Sequence, residues 1–168
     1  MRTGIALGSN LGDRLANLRN ARSQILQISG VIALLGSSRI YETAAVDSDP
    51  DSPPYLNAVI EVDFEGAPLD LLEALQGVEA QFGRPSKRPR NAPRTIDLDI
   101  LYAGNLTLSN EVVVIPHPRL HLRRFVLEPL NDVAPHLLLP GLRGTPAQLL
   151  LSLEDSSPVH PFHGAWQT

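Results

Sequence analysis

The chain has 168 residues, 43% of them hydrophobic and 19% charged, with 14 Lys+Arg against 18 Asp+Glu for a net charge of −4, and no cysteine. A chain of this size can bury a real core as one domain, its apolar fraction is too high for a disordered polymer, and its mild acidity argues against a bulk nucleic-acid binder. Disulfides, zinc–thiolate centres and thiol nucleophiles are excluded, and no run resembles a membrane span or a signal peptide, so the expected setting is the cytoplasm with no membrane partner.

Residues 3–7 read as a short first strand that runs into Gly8-Ser9-Asn10-Leu11-Gly12-Asp13. Asp13 is a capping residue for a helix whose apolar positions Leu15, Leu18, Ile25 and Ile28 fall near helical spacing, and Gly30 is expected to stop it. Residues 31–41 are aliphatic and β-branched and predict one strand. Residues 43–54 carry Pro50, Pro53 and Pro54 with Asp47, Asp49 and Asp51, which predicts a loop. Residues 55–65 alternate, with Ala58, Ile60, Val62 and Phe64 on one face and Asn57, Glu61 and Asp63 on the other. This strand is antiparallel to its predecessor if the loop is a simple reversal. Gly66-Ala67-Pro68 then opens a second helix with Leu69, Leu72, Leu75 and Phe82 as its buried stripe, ended by Gly83. On it, Gln76 and Glu79 lie three apart and share a face.

Residues 84–94 hold Arg84, Lys87, Arg88, Arg90 and Arg94 and no acid; taking those five charges from −4 leaves −9 for the rest, so the basic loop is a local device. It leads into Thr95-Ile96-Asp97-Leu98-Asp99-Ile100-Leu101, which alternates with a period of two. Asp97 and Asp99 therefore share one strand face, about 6–7 Å apart at the backbone, while Ile96, Leu98 and Ile100 share the other. Two such carboxylates can hold a divalent cation, and arginines beside them suit a phosphate chain. The same pattern also describes a half-buried strand with a polar face, neutralising a solvated basic loop.

The order β-α-β-β-α-β predicts an α+β fold with a ferredoxin-like antiparallel sheet, in three α/β/α layers, with strands and helices added towards the C-terminus. No internal repeat is present, which excludes a solenoid. Beyond Gly104, residues 112–115 read as a short strand, Pro116-His117-Pro118-Arg119 as a turn and residues 125–130 as a short helical turn. Thr145-Pro146 caps a last helix through Leu153. The domain is expected to span residues 1–155, with 156–168 as a tail.

Five segments in register carry a family resemblance: Gly8-Ser9-Asn10-Leu11-Gly12, Tyr41-Glu42-Thr43 with Tyr55-Leu56-Asn57, Pro93-Arg94-Thr95-Ile96-Asp97-Leu98-Asp99, Pro116-His117-Pro118-Arg119-Leu120-His121, and Arg123-Arg124-Phe125-Val126-Leu127. From about Gly4 to Pro140 the chain resembles 6-hydroxymethyl-7,8-dihydropterin pyrophosphokinases, which move pyrophosphate from ATP to a pterin alcohol and release AMP. The resemblance implies Asp97 and Asp99 as ligands of two Mg²⁺ ions, with Arg84 and Arg94 as the catalytic arginines that neutralise charge across the α–β bridge. It implies Gln76, Glu79, Arg84, Arg94, Ile100, His117 and Arg123 as ATP-binding residues. For the pterin it implies Gly8, Thr43, Ala44, Val46, Tyr55, Asn57, Asp97 and Phe125. Catalysis would then be positioning and electrostatics, with small molecules as the only partners and a monomer as the working unit.

The chain departs from the family pattern in places. Asn91 and Ala92 stand where some members carry a tryptophan and a glycine, Ala44-Ala45 replaces a proline pair, and Leu122 stands where an acid is common. Val112 and Val114 replace an arginine and a threonine of some members, so those nucleotide contacts are not carried over. Two other classes fit parts of the pattern. One is a nucleotidyl or glycosyl transferase that uses Asp-x-Asp. The other is an RNA-binding ferredoxin-like module, although the exposed strand aromatics on which such a module stacks bases are missing.

Overall fold

A computed structural model describes residues 1–45, 50–83 and 93–167. The elements run β1 (Arg2–Ser9), α1 (Arg14–Ile25), β2 (Val31–Ser37), β3 (Tyr41–Thr43), β4 (Tyr55–Phe64), α2 (Pro68–Gln81), β5 (Asp97–Ala103), β6 (Leu108–Ser109), β7 (Val114–Ile115), a single 3-10 turn at Leu120–Leu122, α3 (Arg124–Val133), α4 (Pro146–Leu151) and β8 (Val159–Pro161). Six strands form one sheet in the order β5-β1-β4-β3-β8, with β2 on the same flank of β4 as β3, and every pairing in it is antiparallel.

Alternation along the strands divides the apolar side chains between two clusters. Ile5 and Leu7 of β1, Ala58, Ile60, Val62 and Phe64 of β4, and Leu98 and Ile100 of β5 pack with Leu18, Ala21 and Ile25 of α1 and Leu71, Leu75 and Val78 of α2. Val59, Leu101 and Tyr102 point the other way and pack with Val126, Leu127 and Leu130 of α3, against which Leu149 and Leu150 of α4 also lie. The register of β5 on β1 shifts between Gly4 and Ile5, so Leu101 is an extra residue and both it and Tyr102 reach the second cluster. Gly4 makes room for this, since a Cβ there would stand 2.2 Å from the Tyr102 ring.

Several expectations need correction. Residues 31–41 form two short strands, not one. Ser38 interrupts them because its N–H donates to the Val59 carbonyl (2.8 Å) while its hydroxyl accepts from the Val59 N–H (2.9 Å), so a side chain stands in for the ladder. The first helix ends at Ile25, well before Gly30. The amides of Gln27 and Ile28 donate three residues back, to Gln24 and Ile25, and these tighter turns lead to Gly30, where φ is +93°. Asp13 does cap that helix, accepting from Ala16 N at 3.0 Å.

On α2 the buried stripe is Leu71, Leu75 and Val78, whereas Leu69 is 42% exposed, because it falls off the face that the three- and four-residue spacing of 71, 75 and 78 defines. The turn expected at 125–130 is a ten-residue helix. The short strand near 112–115 finds its partner at Leu108–Ser109, which the sequence pattern did not announce. The last helix begins as read, with Thr145 and Gln148 in a reciprocal capping box. Residues 156–168, read as a tail, contribute β8 to the sheet edge, and Trp166 donates from Nε1 to the Ser38 carbonyl at 2.7 Å. No helix among the described residues is long and apolar enough to cross a membrane.

Candidate active site

The C-terminal end of β5 is sealed into the core, whereas its N-terminal end opens into a cleft of about 920 Å³. Asp97 and Asp99 line that cleft from the face opposite Leu98 and Ile100, as the period-two pattern requires. Arg94 lies at the same place, its Nη1 3.0 Å from Asp97 Oδ1. Its backbone is fixed from both sides by Asn10, whose N–H donates to the Arg94 carbonyl (3.0 Å) and whose Oδ1 accepts from Arg94 N (2.7 Å). The loop after β1 thus sets the height of the arginine over the carboxylates.

Two further elements wall the cleft on the β5 side. Gln76 and Glu79 project from α2 as their spacing predicts. Glu79 is 8% exposed and accepts from Leu98 N at 2.8 Å, satisfying an outward backbone amide of the sheet's edge strand. Opposite, the His117 amide donates to the Leu101 carbonyl at 2.8 Å, which ties the loop after Pro116 to β5. His117 Nδ1 accepts from Arg119 N at 3.1 Å, so the neutral ring carries its proton on Nε2. Burial lowers the His117 pKa below the ordinary 6.5, and the neighbouring Arg123 and Arg119 lower it further, opposed by Asp97. The ring is therefore a neutral donor at pH 7.

At the β4–β3 side the lining is different in kind. Asn57 donates from Nδ2 to Thr43 Oγ1 at 2.7 Å, and its Oδ1 lies where a Cβ on Gly8 would be 2.9 Å away. Gly8 is thus required for the amide to approach β1. Tyr55, Thr43 and Ala44 line the cleft from these strands and Phe125 lines it from α3, where the Arg123 guanidinium stands 5.4 Å from the centre of its ring. An apolar ring, a two-faced amide and a hydroxyl suit a flat heterocycle with donors and acceptors on its edge.

The structure therefore brings together Gly8, Thr43, Ala44, Tyr55, Asn57, Gln76, Glu79, Arg94, Asp97, Asp99, His117, Arg123 and Phe125. Ile100 differs: it is 5% exposed and packs in the core beneath α1 and α2, because it belongs to the opposite strand face from Asp97 and Asp99. Arg84 and Val46 lie outside the described residues, as do Lys87, Arg88, Arg90, Asn91, Ala92, Asp47 and Asp49. The sequence reading passed over Arg119, Asp155 and Ser157, which also line the cleft. Arg119 was visible as the fourth residue of Pro-His-Pro-Arg, but the other two sit in a stretch without periodicity.

No group of three or more His, Cys, Asp and Glu side chains that could hold a metal occurs among the described residues. The donor chemistry of Asp97 and Asp99 nonetheless fits Mg²⁺, which takes one or two carboxylates and completes its shell with phosphate oxygens and water.

Comparison with known proteins gives a consistent result. The family model for 7,8-dihydro-6-hydroxymethylpterin-pyrophosphokinase (HPPK) matches residues 4–135. A 2-amino-4-hydroxy-6-hydroxymethyldihydropteridine pyrophosphokinase of Haemophilus influenzae is 42% identical over 137 residues, covering 82% of this chain and 84% of that one. Its namesake in Bacillus subtilis is 41% identical over 129 residues, 77% of this chain and 75% of the relative. A mitochondrial folate synthesis bifunctional protein of Arabidopsis thaliana is 42% identical over 129 residues, which are 77% of this chain and 23% of the plant protein. Among solved structures, a Plasmodium falciparum HPPK-DHPS triple mutant aligns with a TM-score of 0.70 at 14% identity, over 90% of this chain and 43% of that one, a likeness of fold.

Proposed function

The chain belongs to the 7,8-dihydro-6-hydroxymethylpterin-pyrophosphokinase family, and from that premise we propose how its own residues carry pyrophosphate from ATP to 6-hydroxymethyl-7,8-dihydropterin, with release of AMP, in folate synthesis. The observation that supports the assignment of roles is one cleft with two chemically distinct halves. Carboxylates, guanidinium groups and an imidazole lie around β5, and an amide, a hydroxyl and aromatic rings lie around β4 and β3.

Asp97 and Asp99 would hold two Mg²⁺ ions, which would supply neutralisation of the phosphate charge when bound. Gln76, Glu79, His117 and Arg123 orient the nucleotide, His117 as a neutral donor through Nε2. Asn57, Thr43 and Gly8 hold the pterin edge, Phe125 and Tyr55 cover its face, and the hydroxymethyl oxygen is thereby aimed at the β-phosphorus. As that oxygen bonds to phosphorus and the bond to AMP breaks, negative charge grows on the α–β bridge. Arg94, held in place by Asn10 and paired with Asp97, is the cation we assign to this charge, and we assign Arg84 the same task. A preset guanidinium lowers the barrier without reorganising at the moment of transfer. The hydroxyl proton leaves to solvent or to a phosphate oxygen.

We also read the sheet as a ferredoxin-like βαββαβ core with helix layers on both faces, and the working unit as a cytoplasmic monomer. Incubation with Mg-ATP and the pterin alcohol tests the function directly. AMP and the pterin diphosphate are the expected products. Release of inorganic pyrophosphate instead would mark nucleotidyl transfer, and product that forms equally well in excess chelator would remove the metal from the scheme.

A further inference from the structure

The segment between α4 and β8 lies beyond residues 4–135, the part that the family model matches, yet it reaches the cleft. Helix α3 begins at Arg124 without a side-chain cap from its own N-cap residue, Arg123. Asp155 does that work from 31 positions further along: its Oδ2 accepts from Arg124 N at 3.1 Å, and its backbone carbonyl accepts from Arg124 Nε at 3.0 Å. Its other carboxylate oxygen accepts from Ser157 N at 2.9 Å. Burial opposes ionisation of this carboxyl. The bonds from Ser157 and Arg124 and the Arg124 charge outweigh it and hold the pKa below the usual value.

From Ser157 the chain passes at once into β8, which pairs antiparallel with β3 so that Val159 faces Thr43 and His160 faces Glu42. Anchors continue past the strand: Phe162 N donates to the Ile40 carbonyl (2.8 Å), Arg19 reaches the Ala165 carbonyl (2.6 Å), and Arg22 stacks 4.5 Å from the Trp166 ring centre. A single segment thus ties the start of α3, which carries Phe125, to the strand that carries Thr43. These are the two sides between which a flat ring would lie.

We propose that residues 155–157 form a brace of the pterin subsite, in which Asp155 is a positioning residue that fixes the first turn of α3 and so sets the spacing between Phe125 and the Thr43–Asn57 pair. The proposal rests on the assignment of this half of the cleft to the pterin. It predicts a selective effect, because Gln76, Glu79 and Asp97 are carried by α2 and β5, and Glu79 and Asp97 are held there by Leu98 and Arg94.

The test is the full-length chain with Asp155→Ala, titrated by the intrinsic fluorescence of the pterin in the presence of a non-hydrolysable Mg-ATP analogue. The analogue is titrated separately. The expected result is a pterin Kd about tenfold weaker, the size of one lost charge-assisted bond, with nucleotide affinity changed by less than about twofold and kcat at saturating pterin largely retained. Asp155→Asn should fall between, since one amide oxygen replaces two accepting oxygens. It also serves if the alanine variant does not fold. Glu61→Gln provides the contrast of a variant that loses stability while pterin affinity stays the same. Unchanged pterin affinity in the Asp155 variants, or equal loss of pterin and nucleotide, would overturn the brace. Failure of the unmodified chain to bind pterin would remove the underlying assignment instead.

Discussion

One face of the sheet carries two sets of acids, and they have opposite fates. Glu61 of β4 is 1% exposed and closed in by its neighbours: Arg2 donates to its Oε1 from Nε at 3.0 Å, and the Tyr102 hydroxyl donates to Oε2 at 2.5 Å. Burial and that bond raise the Tyr102 pKa, so the phenol stays neutral and remains a donor. Asp97 and Asp99 of β5 stand on the same side of the sheet but border the open cleft. The difference lies in the termini of the strands they occupy. Glu61 lies where β1, β4 and β5 are all paired and α3 covers them. Asp97 lies where β5 has just begun, and there the described parts of α2, α3 and the loop after Pro116 leave a cleft. A carboxylate surrounded by fixed donors contributes to the fold, whereas one on the rim of a cavity is available to a ligand.

The largest effect should come from Asp97→Ala and Asp99→Ala, each expected to lower kcat by about 10³-fold or more while the urea midpoint stays near that of the unmodified chain. A large fall in midpoint would place these acids with Glu61 and dissolve the contrast. Arg94→Ala should cost about 10²–10³-fold in kcat/KM, mostly in kcat, as expected for a cation that acts on developing charge. Glu61→Ala reverses the pattern. It strands the Tyr102 hydroxyl in an apolar layer and leaves a void, so unfolding should be easier by about 3 kcal/mol, with the folded fraction retaining full turnover.

A smaller effect is expected from Gly8→Ala. Its Cβ would meet Asn57 Oδ1 at 2.9 Å, displacing an amide held by Thr43, and the pterin KM should rise about tenfold with the ATP KM unmoved. The smallest concerns His117. Its pKa is lowered in the folded chain, so between the ordinary value of 6.5 and that lowered value the unfolded chain binds the proton first, and stability falls as the pH falls. His117→Gln should flatten this part of the stability profile, measured by denaturation at steps from about pH 7.5 to pH 5; an unchanged slope would assign it to other groups.

Much of the site was legible in local pattern. Period-two alternation put Asp97 and Asp99 on one strand face, three-residue spacing put Gln76 and Glu79 on one helix face, and both pairs line the cleft. Asp13, Thr145 and Pro68 marked helix starts correctly, because capping is decided within a few residues of the chain. The same alternation also contained the placement of the Ile100 side chain in the core.

What the sequence by itself determined is therefore whatever depends on neighbours in the chain: the strand and helix periods, the caps, the pairing of acids and the concentration of cations beside them. Only the tertiary structure decided which acids are sealed and which are open, since Glu61 and Asp97 both stand on the polar side of alternating strands and differ in what covers them. It also decided the use of Ser38 to interrupt a strand, the bulge at Leu101 that Gly4 permits, and the recruitment of residues 155–161 to the cleft and the sheet edge. Each of these rests on a contact between residues 20 or more positions apart, and separations of that kind leave no period in the sequence.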